Sequence, residues 1–128
     1  MRNYLIYPEL SYTVMGILFK IHNHLGRNFQ EKYYQRAIEI ELKVSKLRFQ
    51  REKLIKINYQ GESIGRYFLD FVIDEKLVLE VKASDYFRNA FYPQVLAYLT
   101  SANLKLGIIA NFNSDKLLYK RIVNPRLP

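Results

Sequence analysis

A chain of 128 residues fits one domain, spanning 1–128, and its 49% apolar content, with eleven Tyr and eight Phe, suffices for a core without covalent staples. The absence of cysteine excludes disulfides, thiolate metal sites and cysteine nucleophiles, and suits a reducing cytoplasm. Twenty Lys and Arg against twelve Asp and Glu leave a net charge of +8, which makes a polyanion, nucleic acid first, the partner to expect. Residues 1–7 lack a basic region followed by a long apolar run, so no secretory signal is expected. The apolar stretches are broken by charge before they could cross a membrane.

In chain order, Ser11 is a candidate cap for a helix over 11–25, with Val14, Ile17, Leu18, Ile21 and Leu25 on one stripe. Gly26 falls where a left-handed C-terminal residue belongs. A second helix is expected over 30–44, turning Tyr34, Ala37, Ile38 and Leu42 inward. The period then changes to two. A strand over 54–59 puts Ile55, Ile57 and Tyr59 on one side and Lys56 and Asn58 on the other. Gln60-Gly61-Glu62-Ser63 is turn material, followed by strands over 64–73 and 77–83 with a tight Asp74-Glu75-Lys76 turn between them. A helix over 90–101 accepts Pro93 only in its first turn, and strands over 106–112 and 117–123 close the chain. This order predicts an α/β fold, a mixed sheet of about five strands with helices on its faces, and not a doubly wound dinucleotide-binding sheet.

Two of these strands carry charge where burial predicts none. Asp70 interrupts Tyr67-Phe68-Leu69-Asp70-Phe71-Val72-Ile73, and Glu80 and Lys82 interrupt Leu77-Val78-Leu79-Glu80-Val81-Lys82-Ala83. Alternation puts Glu80 and Lys82 on the face of Val78. If 74–76 is a three-residue loop, paired residues sum to 150 and Asp70 lies opposite Glu80, with Cβ atoms roughly 5 Å apart. Two buried like charges need compensation, and a divalent cation, Mg²⁺ or Mn²⁺, suits hard carboxylate oxygens. A cation held against a phosphodiester polarises phosphorus and acidifies water, while a nearby lysine orients the water or steadies the developing charge. An ion-pair triad with a purely structural role is the competing reading.

The excess positive charge is concentrated at Lys43, Lys46, Arg48, Arg51, Lys53 and Lys56, with only Glu52 among them. This is a candidate nucleic-acid-binding band, or alternatively a solvated lysine-rich face. Phosphate-cradling Gly-x-x-x-x-Gly-Lys and Gly-x-Gly-x-x-Gly turns are absent, which weakens any nucleotide-handling alternative.

With these residues in place, the chain resembles the PD-(D/E)XK nuclease superfamily, and within it the bacterial branch named for a GxxExxY motif. Asp70 and Glu80-Val81-Lys82 correspond to its Asp, spacer and Glu-x-Lys, and Asn28-Phe29-Gln30-Glu31-Lys32-Tyr33-Tyr34 to its name-giving motif. Asn28 stands where the branch has glycine, and asparagine best tolerates the left-handed backbone after glycine. Ile21-His22 with Leu25-Gly26, Gln94 with Tyr98-Leu99, Ile109 to Phe112 and Lys120-Arg121-Ile122-Val123 extend the likeness over about 12–123. Phe91 stands where the branch often has histidine.

The resemblance implies a restriction-endonuclease-like core and a metal-dependent nuclease acting on DNA, with RNA second. It implies Asp70, Glu80, Lys82, Glu31 and Gln94 as catalytic residues, with Asp70, Glu80 and Glu31 holding the metal. Gln94 would touch water, metal or phosphate. Tyr34 and His22 read as structural, the first as core packing with its hydroxyl satisfied and the second as a donor. The alternative is a catalytically weak or inactive nucleic-acid- or protein-binding module on the same fold. By analogy with nucleases of this size a homodimer is a candidate assembly, with Tyr4, Tyr7 and Tyr12 leading into the first helix as its contact.

Overall fold

The computed structural model describes residues 6–127, so Tyr4 lies outside the described residues. The elements run α1 (Pro8–Leu25), α2 (Glu31–Val44), β1 (Phe49–Tyr59), β2 (Glu62–Ile73), β3 (Leu77–Lys82), α3 (Phe91–Ala102), β4 (Leu106–Asn111) and β5 (Leu118–Val123). The strands form one sheet in the order β1-β2-β3-β4-β5. Among the described residues only the β3–β4 pair is parallel, and α3 makes the crossover that joins them. This is the expected mixed sheet with helices on its faces.

Alternation divides the core between the two faces. Leu77, Leu79 and Val81 of β3, with Leu106, Ile108 and Ala110 of β4, pack against Leu18, Tyr34, Ile38 and Leu42 of α1 and α2. Val78, Ile109 and Ile122 point the other way, onto Val95 and Leu99 of α3. β3 is central and covered on both sides, which explains why it reads as an almost unbroken apolar run.

Some boundaries differ from the expectation for identifiable reasons. Ser11 is not a cap: α1 begins a turn earlier, with Pro8 in its first turn and Tyr7 (φ 49°) before it. Ser11 is buried instead, and its hydroxyl accepts from Arg121 Nε at 3.2 Å. β1 starts five residues before the alternating segment, because an edge strand tolerates the Arg51-Glu52-Lys53 charges that conceal its pattern. Tyr59, expected on an inward face, is exposed near the hairpin tip. Pro93 does lie in the first turn of α3.

Besides a bulge between Ile57 and Asn58 near the hairpin tip, alternation fails in the middle of β2. Leu69 packs on the α3 side, yet Phe71, two residues on, packs on the α1/α2 side. On β1, Arg51 lies over the Phe71 ring while Ile55 belongs to the α3 side. Between these levels the ladder omits one rung, Glu52 opposite Asp70, and Glu52 has φ 50°. A left-handed residue in a strand turns the following side chains to the other face. Asp70 thus occupies the point where the sheet changes sides.

Candidate active site

The β2–β3 hairpin keeps the expected register, Ile73↔Leu77, Val72↔Val78 and Phe71↔Leu79. The next rung would pair Asp70 with Glu80, and there the backbone ladder stops. The side chains take over: the Asp70 N–H donates to Glu80 Oε2 at 2.8 Å, and the Val81 N–H donates to Asp70 Oδ2 at 2.8 Å. Each carboxylate replaces a carbonyl that the diverging strand no longer supplies. The Tyr67 hydroxyl donates to the other Glu80 oxygen, Oε1, at 2.8 Å. The site opens where β2 leaves β3, at the carboxyl ends of the parallel strands β3 and β4, a common position for ligand sites in α/β sheets.

Both carboxyls are pushed up in pKa. Glu80 is 1% exposed; burial and then the Asp70 charge raise it to about 7, against the opposing pull of the Asp70 N–H, the Tyr67 hydroxyl and Lys82. Asp70 is raised by burial and by Glu52, with the Val81 N–H, Lys82 and Arg51 pulling it down. Tyr67 is raised by burial and by Glu80, so its hydroxyl keeps its proton and remains a donor.

Glu31 opens α2 and belongs to the same electrostatic group. The residue is exposed, but its carboxyl is raised by burial and by Asp70 and lowered by Lys82 and a bond from the Ala83 backbone. Lys82 Nζ lies 4.8 Å from the centroid of the Phe91 ring, the position where histidine was the alternative. Gln94 is exposed in the first turn of α3, one turn before Tyr98, whose pKa its side chain draws down. Tyr98 stacks on Tyr67 at 3.7 Å between centroids, and burial and the Glu80 charge raise its pKa. Gln94 therefore joins the site through two tyrosines. Sequence reasoning missed the Tyr67 hydroxyl as a partner of Glu80; the i, i+4 spacing of Gln94 and Tyr98 was the one available signal for the second ring.

The surrounding loops are tied down. Asn28 adopts φ 84°, the backbone expected of the glycine it replaces, and its N–H donates to Asn113 Oδ1 at 3.0 Å. The Asn111 side chain accepts from Ser84 N at 2.9 Å and donates to Ser84 O at 3.0 Å, fixing the segment after Lys82 to the end of β4. Tyr34 is buried, stacks on Phe112 at 4.4 Å, and donates to Gly26 O at 2.6 Å. His22 is buried and donates from Nε2 to Ser114 O at 2.9 Å. Both are the structural residues that their surroundings predicted.

The basic run is divided. Arg51 bonds Glu39 at 2.9 Å and Gln35 at 3.1 Å, Arg48 pairs with Asp74 at 3.2 Å, and Lys43 lies 3.5 Å from Glu39. Lys46, Lys53 and Lys56 have no ion-pair partner among the described residues. Lys46 and Arg48 sit at the turn into β1, and Lys53 and Lys56 farther along the strand, so the run is not one patch.

The donor set fits a hard divalent cation. Asp70 Oδ1 accepts no hydrogen bond among the described residues, and each carboxylate oxygen has two lone pairs. Among the described residues, no three His, Cys, Asp or Glu side chains are drawn together tightly enough to hold a metal by themselves. Mg²⁺ does not require that: it is commonly bound through one or two carboxylates, with water and substrate phosphate completing the shell. Two mutually repelling carboxyls with raised pKa are the groups a cation would relieve.

A mixed five-stranded sheet with an Asp and a Glu-x-Lys where two strands part defines a nuclease-like α/β class. The family model of the PD-(D/E)XK nuclease superfamily matches residues 8–122, and the chain belongs to that superfamily. No curated protein matches. Among solved structures, the crystal structure of SSO0001 is similar in fold, with a TM-score of 0.56 and 21% identity. The match covers 73% of this chain and 50% of that one, so this chain spans about half its length. Among the described residues, no helix is long and apolar enough to cross a membrane.

Proposed function

We propose that the chain is a metal-dependent nuclease that hydrolyses phosphodiester bonds of DNA, with RNA as the second choice of substrate. The observation that carries this reading is the crossed pair of carboxylates, half-buried Asp70 and buried Glu80, each bonded to the other strand's backbone and both raised in pKa beside Lys82 and Glu31. A structural ion pair would hold a lysine or arginine within salt-bridge distance, and among the described residues neither Asp70 nor Glu80 has one. The Asn28 backbone and the Glu31 and Tyr34 positions support the GxxExxY branch as the nearest affiliation. Residues 1–128 act as one domain, and a cysteine-free chain suits the cytoplasm.

Asp70 and Glu80 would hold Mg²⁺ (or Mn²⁺), with Glu31 as a third, more exposed acid. Bound there, the ion supplies charge neutralisation at the phosphoryl oxygens and acidifies water. The chain's own residues do the rest. Lys82, held over Phe91 and within electrostatic reach of Asp70, Glu80 and Glu31, would orient the attacking water or steady charge on the phosphoryl oxygens. Tyr67 fixes the rotamer of Glu80 by its hydrogen bond, Tyr98 stacks on the Tyr67 ring, and Gln94, one turn before Tyr98, would touch water, metal or phosphate. Lys43, Lys46, Arg48, Arg51, Lys53 and Lys56 contribute attraction for the substrate backbone, Arg51 least because Glu39 and Gln35 occupy it. A homodimer would set cuts on opposite strands, and Tyr12, 83% exposed on α1, is its contact; a monomer by sedimentation at working concentration removes that part.

The test is calorimetric titration of Mn²⁺ into wild type and Asp70→Ala, followed by incubation with single-stranded DNA, duplex DNA and RNA. Binding and cleavage by wild type alone are expected. No metal binding by wild type, even with oligonucleotide present, refutes the nuclease and leaves a binding module on the same fold.

A further inference from the structure

Beyond Phe71↔Leu79 β3 no longer pairs with β2, but β1 and β2 continue together from Lys53↔Leu69 to Tyr59↔Glu62. The hairpin is therefore a two-stranded ribbon that projects from the sheet at the candidate active site. One face is covered: Ile55 and Leu69 are buried against the α3 layer, and Tyr67 stacks on Tyr98. The opposite face carries the cross-strand pairs Leu54↔Phe68 and Lys56↔Arg66. Phe68 is 49% exposed and Leu54 38%. Lys56 and Arg66 are exposed, and neither has an acidic partner among the described residues. The Arg66 guanidinium lies 5.9 Å from the Phe68 ring centroid.

The order of these pairs along the ribbon is informative. Asp70 comes first, then Phe68 with Leu54 two residues out, then Arg66 with Lys56 two residues farther. Each step is about 7 Å. An aromatic ring two residues along the strand from Asp70 and a pair of free cations beyond it match the repeating chemistry of a nucleotide strand, base followed by phosphate. Stacking on an aromatic ring suits any base, because every base has a π-face, and it requires the base to be unpaired. A ribbon built to read a duplex groove would present hydrogen-bonding side chains at Phe68 and Leu54.

We propose that this ribbon face is a platform for an unpaired stretch of polynucleotide, with a base stacked on Phe68 and the neighbouring phosphates on Lys56 and Arg66. The proposal rests on the nuclease reading, which it sharpens: the strand to be cut is single, or locally opened, where it leaves the carboxylates. Phe68 and Arg66 become specificity-determining residues for strandedness, and Lys56 and Arg66 neutralise backbone charge. The shared chemistry fits DNA and RNA alike.

The experiment is fluorescence anisotropy with labelled oligothymidine, oligouridine and a mixed-sequence duplex, in low salt with EDTA so that nothing is cleaved. Wild type should prefer a single strand to the duplex, and whichever of the two strands it binds names the source. Phe68→Ala should weaken binding about tenfold and Phe68→Tyr by less than about twofold. Lys56→Ala/Arg66→Ala should reduce the slope of log K against log salt by about 1.4, at ~0.7 per single-strand phosphate. Should Phe68→Ala melt early, Phe68→Leu, which keeps apolar bulk without a ring, decides the same question.

Duplex preference by wild type, or binding by Phe68→Ala and Phe68→Leu equal to that of Phe68→Tyr, overturns the platform. A Mn²⁺ titration of the same variants separates the two readings. Unchanged metal binding alongside an unaffected strand affinity removes the platform and leaves the nuclease. A wild type that binds strands through Phe68 but takes no metal keeps the platform and removes the nuclease.

Discussion

Replacing Glu80 by glutamine tests the electrostatic core of the site without relying on any substrate. Glu80 is raised from an ordinary 4.5 to about 7 in the folded chain. The folded state therefore holds this proton more tightly than the unfolded state does. The associated stability is fully present below about pH 4.5 and is lost as pH rises through about 7. A shift of this size corresponds to about 3 kcal/mol less stability at pH 8 than at pH 4.5 in metal-free buffer. Glutamine removes the charge while keeping the bonds: its oxygen accepts from the Asp70 N–H, and its amide donates to the Tyr67 oxygen, which can reverse its role. It also relieves Asp70 of its closest like charge. Urea unfolding followed by circular dichroism in EDTA should show wild type losing about 3 kcal/mol more than Glu80→Gln between these pH values. At pH 8 the variant should be the more stable protein. Millimolar Mn²⁺ should raise wild type at pH 8 and leave Glu80→Gln nearly unmoved, because only a state-selective ligand shifts the folding equilibrium. Parallel pH profiles, or a variant less stable than wild type at pH 8, would show that Glu80 is not a strained anion.

Other substitutions separate chemistry from architecture. Lys82→Ala should lower cleavage by about a hundredfold or more while Mn²⁺ binds as tightly as before or tighter, since a competing cation is gone; equal losses of both in a titration and a rate assay would make Lys82 structural. Tyr34→Phe should reduce stability by about 1–3 kcal/mol in urea, because Gly26 O loses its donor and Phe29 N its acceptor, with cleavage per folded molecule unchanged. Arg51→Ala should cost about 2 kcal/mol by the same assay, as Glu39 and Gln35 lose their partner and Phe71 its covering cation. If Arg51→Ala leaves stability alone and mainly weakens DNA binding, the residue belongs to the substrate surface.

Local pattern carried much of the fold. The stripe of α1, the inward positions Tyr34, Ile38 and Leu42 of α2, the 74–76 turn and the change from period 3.6 to period 2 all depend on neighbours a few residues apart. So did the hairpin register, because a three-residue loop sets every pair that follows it; the pairing of Glu80 and Lys82 with Val78's face came from alternation alone. Asn28 was legible as a left-handed position only through the resemblance, which puts glycine there, and asparagine tolerates that backbone next best.

What the linear pattern could not contain was where the pattern ends. Ser11 read as a cap because capping chemistry is local, whereas its partner, Arg121, comes from the far end of the chain. The Arg51-Glu52-Lys53 segment concealed a strand, since edge position is known only once the sheet is assembled. The expected register holds as far as Phe71↔Leu79, one rung short of Asp70 and Glu80. That the ladder breaks there, that each carboxylate bonds the opposite backbone, and that Tyr67 and Tyr98 close over the pair depend on β2 parting from β3 and on α3 returning across the sheet. Sequence alone determined which side chains are chemically out of place in an apolar strand. Tertiary structure decided how they meet, because burial and mutual repulsion exist only between groups that distant segments bring together.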